Sequence, residues 1–163
     1  MRWIWIDKFV EFESGKRAVA IKNLTLAEEH LHDHFPALPV MPASLMIEGM
    51  AQTAGILVGE ARDFTEKVIL AKVKRARFDG MARPGQQLRY EAVVESITDQ
   101  AATTTGTIYC DGHPFGQVDL MFSHIDQNVS GLNFPAENFV FTEEFKNLLS
   151  MYRIDRAGAG GTG

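Results

Sequence analysis

Apolar and polar positions along the first part of the chain separate it into elements of different period. Between Trp3 and Leu24 two β-prone stretches, WIWIDKFVEF and RAVAIKNL, flank Ser14-Gly15-Lys16, a composition suited to a hairpin turn, so an antiparallel pair is expected. The next segment, TLAEEHLHDHFPALPVMPA, carries Thr25 where it can cap a short helical turn. Prolines at 36, 39 and 42 then exclude regular structure, leaving an irregular loop rich in histidine. From Ala43 to about Ala61 runs ASLMIEGMAQTAGILVGEA, with Pro42 suited to the first helical position because its missing N–H is not needed there. Its apolar residues point in nearly every direction around a helix, as expected of one enclosed by other structure.

Four further segments read as strands: EKVILAKVKRARFD, QLRYEAVVESIT, AATTTGTIYC and HPFGQVDLMFSH. Turn signals at Arg83-Pro84-Gly85, Thr98-Asp99 and Asp111-Gly112 separate them, and their succession suggests an antiparallel meander. Two strands, one long helix and four strands make an α+β fold in which a curved sheet wraps a single buried helix. Beyond Ile125 the composition loosens, then FTEEFKNLLSMYRI shows helical spacing with Thr142 as its cap. The expected organisation is one domain over residues 1–125, a C-terminal extension with a helix over 126–154, and a disordered AGAGGTG tail within 155–163.

Composition narrows the function classes. At 163 residues, with 45 % hydrophobic and 23 % charged residues, the chain is one ordinary globular domain. Its single cysteine, Cys110, has no internal partner, which fits a reducing cytoplasm. The short N-terminal apolar run is interrupted by Asp7 and Lys8 and lacks the core of a secretion signal, so a cytoplasmic location is expected. Glu48, Gln52 and the glycines within Ala43–Gly59 argue against a membrane span. A net charge of −5 gives no overall footprint for nucleic acid.

Candidate chemistry centres on Glu48, the only charged residue between Pro42 and Glu60. A carboxylate in so apolar an element should find a partner or hold its proton. Gln52, one helical turn on, is the nearest partner on the same face. His30, His32 and His34 alternate, a spacing that in a strand would share one face and suit a metal. No cysteine or further histidine lies nearby to complete such a set, so solvated loop histidines are the commoner outcome and no metal is expected. His34 alone abuts the rigid Phe35-Pro36 segment. The KVKRAR stripe at 72–77 reads as a solvated strand face or, alternatively, a surface for an acidic partner.

The segment HFPALPVMPASLMIEGMAQTAG resembles, without gaps, the active-site segment of FabZ-type 3-hydroxyacyl-acyl-carrier-protein dehydratases, which reads like HFPGxPVMPGVLxxEAxAQ. The separation of His34 from Glu48 matches, and KRARFDGMARPGQQLRYEAVV and GTIYCDGHPFGQVDLMF look like the family's later strands. A glutamate at 48 is similar to the FabZ type and unlike its isomerising FabA relative. The resemblance implies a hot-dog fold that pairs as a homodimer with shared active sites, relatives often forming trimers of dimers. It implies that His34 is the base, that Glu48 of the partner chain is the acid, and that a backbone N–H at Ala43 holds the thioester oxygen; Gln52, by its place one turn from Glu48, and Ser44, by its hydroxyl beside the same site, are supporting candidates. The implied partner is acyl carrier protein, with Lys72, Lys74, Arg75 and Arg77 as contacts, and no cofactor is implied.

The sequence departs from the pattern where Ala37 and Ala43 replace two glycines and where Ser44 stands in place of a small apolar residue. The stretch from Asp126 onward lies outside the usual family boundary and is expected to cover the mouth of the narrow acyl tunnel that the resemblance implies, or to pack on a neighbour. Dehydration is the leading expectation. A hot-dog thioesterase and a non-catalytic acyl-binding protein are the alternatives.

Overall fold

A computed structural model describes residues 3–125, 128–129, 132–133, 138 and 140–159. The hairpin forms as expected, though later in the chain: β1 is Lys8–Glu13 and β2 is Arg17–Asn23, with Gly15 at φ 66° in the turn between them. A side chain from elsewhere diverts the backbone before Lys8. The N–H of Trp5 donates to Gln52 Oε1 at 2.8 Å, and the carbonyl of Trp3 accepts from Gln52 Nε2 at 2.9 Å, so residues 3–5 follow the long helix.

That helix, α2, spans Ala43–Glu60, with a five-residue helix α1 at Glu29–Asp33 before it. Pro42 lies one position earlier than expected, as the cap residue, with ψ 135°. Every residue from Gly49 to Gly59 is buried, which explains why this stretch is apolar all round. Four long strands follow: β3 Lys67–Phe78, β4 Gln87–Ile97, β5 Ala101–Cys110 and β6 His113–Ile125. Leu88, Tyr90 and Ala92 of β4, alternate positions from Ala102 to Cys110 of β5, and Val118, Leu120 and Phe122 of β6 point inward with the period of two that the sequence displays. Asp111 and Gly112, both at positive φ, make the tight turn between β5 and β6.

These six strands form one antiparallel sheet in the order β1-β2-β4-β5-β6-β3, and Asn128–Val129 pairs with Leu132–Asn133 in a separate two-stranded ladder. The meander therefore holds for β4, β5 and β6 but not for β3, which pairs with β6 at the far edge. The edge of β4 that a meander would give to β3 is taken by β2. Helix α2 lies in the concavity of the sheet, close enough that a methyl on Gly49 would sit 2.7 Å from the Tyr90 ring. This is the hot-dog arrangement that the sequence resemblance implies.

The extension adds α3, Glu143–Ala159, preceded by Thr142, whose carbonyl accepts the N–H groups of Phe145 and Lys146. The helix continues to Ala159, into the stretch expected to be disordered; residues 160–163 of that tail lie outside the described residues. Leu148, Leu149 and Tyr152 are buried, and Tyr152 Oη accepts the Phe12 N–H at 3.1 Å, so α3 covers the β1 edge of the sheet.

Candidate active site

The loop ahead of α2 fixes His34 from both sides. Its N–H donates to the His30 carbonyl at 3.1 Å and its own carbonyl accepts the Val40 N–H at 2.9 Å, while the Phe35 ring stacks on the imidazole at 4.3 Å between centroids. The His34–Phe35 peptide is cis. Pro36 and Ala37 form the corner of a turn in which Phe35 and Leu38 exchange backbone hydrogen bonds. His34 Nδ1 lies 3.0 Å from the Val40 carbonyl. A carbonyl only accepts, so Nδ1 carries a proton, and in the neutral form of the ring Nε2 is the nitrogen with the lone pair.

The other two histidines go elsewhere. Residues 29–33 form a helical turn rather than a strand, so alternate side chains do not share a face. The His30 ring packs edge-on against Trp5, and His32 Nε2 lies 2.6 Å from the Leu26 carbonyl. Among the described residues no group of three His, Cys, Asp or Glu side chains is placed to hold a metal.

Glu48 is half-buried on α2 and has the partner that its surroundings require: Gln52 Nε2 donates to Glu48 Oε1 at 3.0 Å. Gln52, 6 % exposed, spends its remaining hydrogen bonds on the Trp3 carbonyl and the Trp5 N–H. The carboxylate is thereby oriented by an amide that the N-terminal segment itself locks. One Glu48 face borders a cavity of about 260 Å³. Its other walls are mainly apolar, from Ile56 and Gly55 of α2, Val68 and Leu70 of β3 and Phe122 of β6. Trp3, Phe141 and Phe145 also line it, and sequence reasoning missed all three. The one available signal was the density of phenylalanine in FVFTEEF, just ahead of a helical pattern.

At the start of α2 the Pro42 carbonyl accepts from Leu45 and Met46, so the N–H groups of Ala43 and Ser44 precede the first intrahelical bond. Both residues are exposed, and neither Ala37 nor Ala43 is among the non-glycine residues with positive φ. The methyl groups that replace the expected glycine hydrogens therefore sit on backbone that any residue adopts. Within one chain no hydrogen bond joins His34 to Glu48. His34 is not among the residues lining the Glu48 cavity, and its ring bonds to Val40. Lys72, Lys74, Arg75 and Arg77 are exposed along β3, with Arg75 paired to Asp119 and Arg77 to Asp79.

Comparison with known proteins gives the same picture. Residues 3–116 match the model of the FabA-like domain. The chain is 36 % identical to the 3-hydroxyacyl-[acyl-carrier-protein] dehydratase FabZ of Caldanaerobacter subterraneus, over 74 % of this chain and 86 % of that protein. It is 35 % identical to the Bacillus pumilus FabZ over 74 % and 85 %. Among solved structures it resembles the dehydratase heterocomplex ApeI:P from Xenorhabdus doucetiae, with a TM-score of 0.63 and 16 % identity over 77 % of this chain and 85 % of that one. It also resembles smu.793 from Streptococcus mutans, solved with acetyl CoA bound, with a TM-score of 0.57 and 8 % identity over 72 % and 87 %. At those identities the structural likeness speaks for the fold, and the sequence match for the family: this chain belongs to the FabA-like domain family.

Proposed function

We propose that this protein removes water from 3-hydroxyacyl thioesters on acyl carrier protein, giving trans-2-enoyl thioesters in fatty-acid or related acyl-chain biosynthesis. The observation that carries the reading is the contrast between the two groups. His34 is an imidazole whose Nδ1 is tied to a carbonyl, with Nε2 left basic, and Glu48 is a carboxyl held by Gln52 at the edge of an apolar cavity.

In this reading His34 Nε2 takes the proton from the carbon next to the thioester carbonyl. The negative charge that develops on the thioester oxygen is met by the free N–H at Ala43, where the helix dipole also favours it. Glu48 delivers a proton to the β-hydroxyl as the C–O bond breaks, water leaves, and the α,β double bond forms. Gln52 keeps the carboxyl aimed, and Ser44 offers a hydroxyl beside the oxyanion donor. No step calls for a cofactor.

A site made by two copies is what the family resemblance implies, and within one chain His34 does not line the Glu48 cavity. Among the described residues no strand pairs with the outer edge of β3, and that edge is the surface along which a second copy would pair. The exposed Lys72, Lys74, Arg75 and Arg77 on that strand give an acidic carrier protein a basic contact. Among the described residues no helix is long and apolar enough to cross a membrane, so nothing there requires the substrate to be drawn from a bilayer.

The test follows enoyl thioester formation from 3-hydroxyacyl-carrier-protein. His34→Ala and Glu48→Gln should each lower kcat by about 10²–10⁴. Mixed after unfolding and refolding together, the two inactive variants should regain about a quarter of wild-type activity, because random pairing in a two-fold dimer rebuilds that share of intact sites. No recovery would remove the shared site. Release of free thiol without enoyl product would point instead to a thioesterase.

A further inference from the structure

One wall of the Glu48 cavity is a single stripe of α2: Glu48, then Ala51 and Gln52, then Gly55 and Ile56, successive turns of one helical face. At 1.5 Å per residue this stripe leads about 10 Å from Glu48 to Gly55. One turn further is Gly59, and there the stripe is covered. A methyl on Gly59 would come within 2.3 Å of Cζ of Phe141, so the tip of that ring is seated directly on the helix backbone. Val140, Phe141 and Phe145 all line the cavity, and all three lie beyond residue 116, where the match to the family model ends.

The ring is braced on several sides. Asn138 Nδ2 donates to the carbonyls of Phe64 and Glu66, and its Oδ1 accepts the N–H groups of Val140 and Phe141, which clamps this part of the extension to the loop after α2. Phe64 packs edge-on against Phe141 at 5.0 Å. Behind it α3 is anchored by buried Leu148 and Leu149 and by Arg153, bonded to Glu60 at 2.7 Å. A wall fastened in this way ends the groove at a fixed place. Being aromatic, it accepts a hydrocarbon terminus and penalises a polar one.

Resting on the reading that this cavity receives an acyl chain, we propose that the C-terminal extension is the chain-length determinant. Phe141 and Phe145 form the end wall at which the methyl end of the acyl group stops, which confines the protein to chains that fit between Glu48 and Phe141.

Trp3 lines the cavity and is 58 % exposed, so its fluorescence reports occupancy without turnover. The probes are 3-hydroxyacyl pantetheine thioesters from four to sixteen carbons, with enoyl formation followed in parallel. For wild type, affinity should tighten with each added carbon and then stop tightening at a break. In Phe141→Ala and Phe145→Ala the break should move to longer chains, each newly accommodated methylene tightening binding about fourfold. Phe141→Leu, which keeps an apolar group on Gly59, should move it less and carries the test with Phe145→Ala if Phe141→Ala does not fold. A break at the same length in wild type and in the folded variants, or no break in wild type, overturns the proposal. Absence of enoyl product while the break shifts removes the dehydration reading and leaves the end wall standing.

Discussion

Glu48 and Gln52 stand four residues apart on one helix, and their arrangement shows how a half-buried carboxyl is made tolerable without being silenced. Gln52 has two donors and spends one on the carboxyl and one on the Trp3 carbonyl, so Glu48 is aimed but keeps lone pairs toward the cavity. His30 is the opposite case, an imidazole turned into the core against Trp5 with Nε2 buried. Burial holds its pKa below the ordinary histidine value; Lys22 and His34 push the same way and Glu28 opposes them. The unfolded chain takes up this proton near pH 6.5, the folded chain only at lower pH, so in that window the unfolded state binds more protons and stability rises with pH. The melting temperature should therefore drop as pH falls from neutrality through 6.5 and below, and His30→Phe should flatten that part of the profile in thermal melts. An unchanged slope in the variant would assign the acid sensitivity to other groups.

At the scale of elements, α2 approaches the sheet on glycines that are not equivalent. A methyl at Gly49 meets the ring of fully buried Tyr90 at 2.7 Å, with no room for either to yield. At Gly55 the nearest atom is Cε1 of Phe122 at 3.6 Å, an ordinary contact. Gly49→Ala should thus destabilise by roughly 1–3 kcal/mol through overpacking. Gly55→Ala should stabilise by up to about 1 kcal/mol through helix propensity, while narrowing the cavity that it lines. Chemical denaturation of the two variants checks the contrast, and equal effects would mean that the helix does not sit this close to β4. The same comparison separates the fold from the site, because Gly55→Ala should slow turnover of the longest substrates without loss of stability.

The whole molecule is asymmetric at its sheet edges. β1 lies under α3, whereas β3 is exposed from Leu70 to Arg77 on both of its alternating faces, with Leu70 at 38 % and Val73 at 40 % exposure. An edge strand this long, with apolar residues on view, is a template for another chain. With a second copy paired there, as proposed, Val73→Asp places a charge between the copies and should leave a smaller species in analytical ultracentrifugation, with retained circular dichroism and lost enoyl formation. A variant that sediments like wild type would move the pairing surface away from β3.

Much of this was legible from residue order. The apolar run after Pro42 marked α2 to within a residue of its end, period-two alternation marked β4, β5 and β6, and Asp111-Gly112 marked their turn. The isolated charge of Glu48 in that run and the rigid Phe35-Pro36 segment beside His34 singled out both residues before any geometry was known, since each is a local feature visible along the chain. Other features depended on contacts between distant segments. Alternating histidines fell on a helical turn, β3 went to the far edge of the sheet, Gln52 drew Trp3 and Trp5 away from a strand, and Phe141 crossed to the cavity floor at Gly59. Periodicity states which face of an element is apolar, because that depends on the backbone of the element alone. Which strand lies beside which, and whose ring fills a given hollow, is decided by packing between segments many residues apart, and that the tertiary structure alone determined.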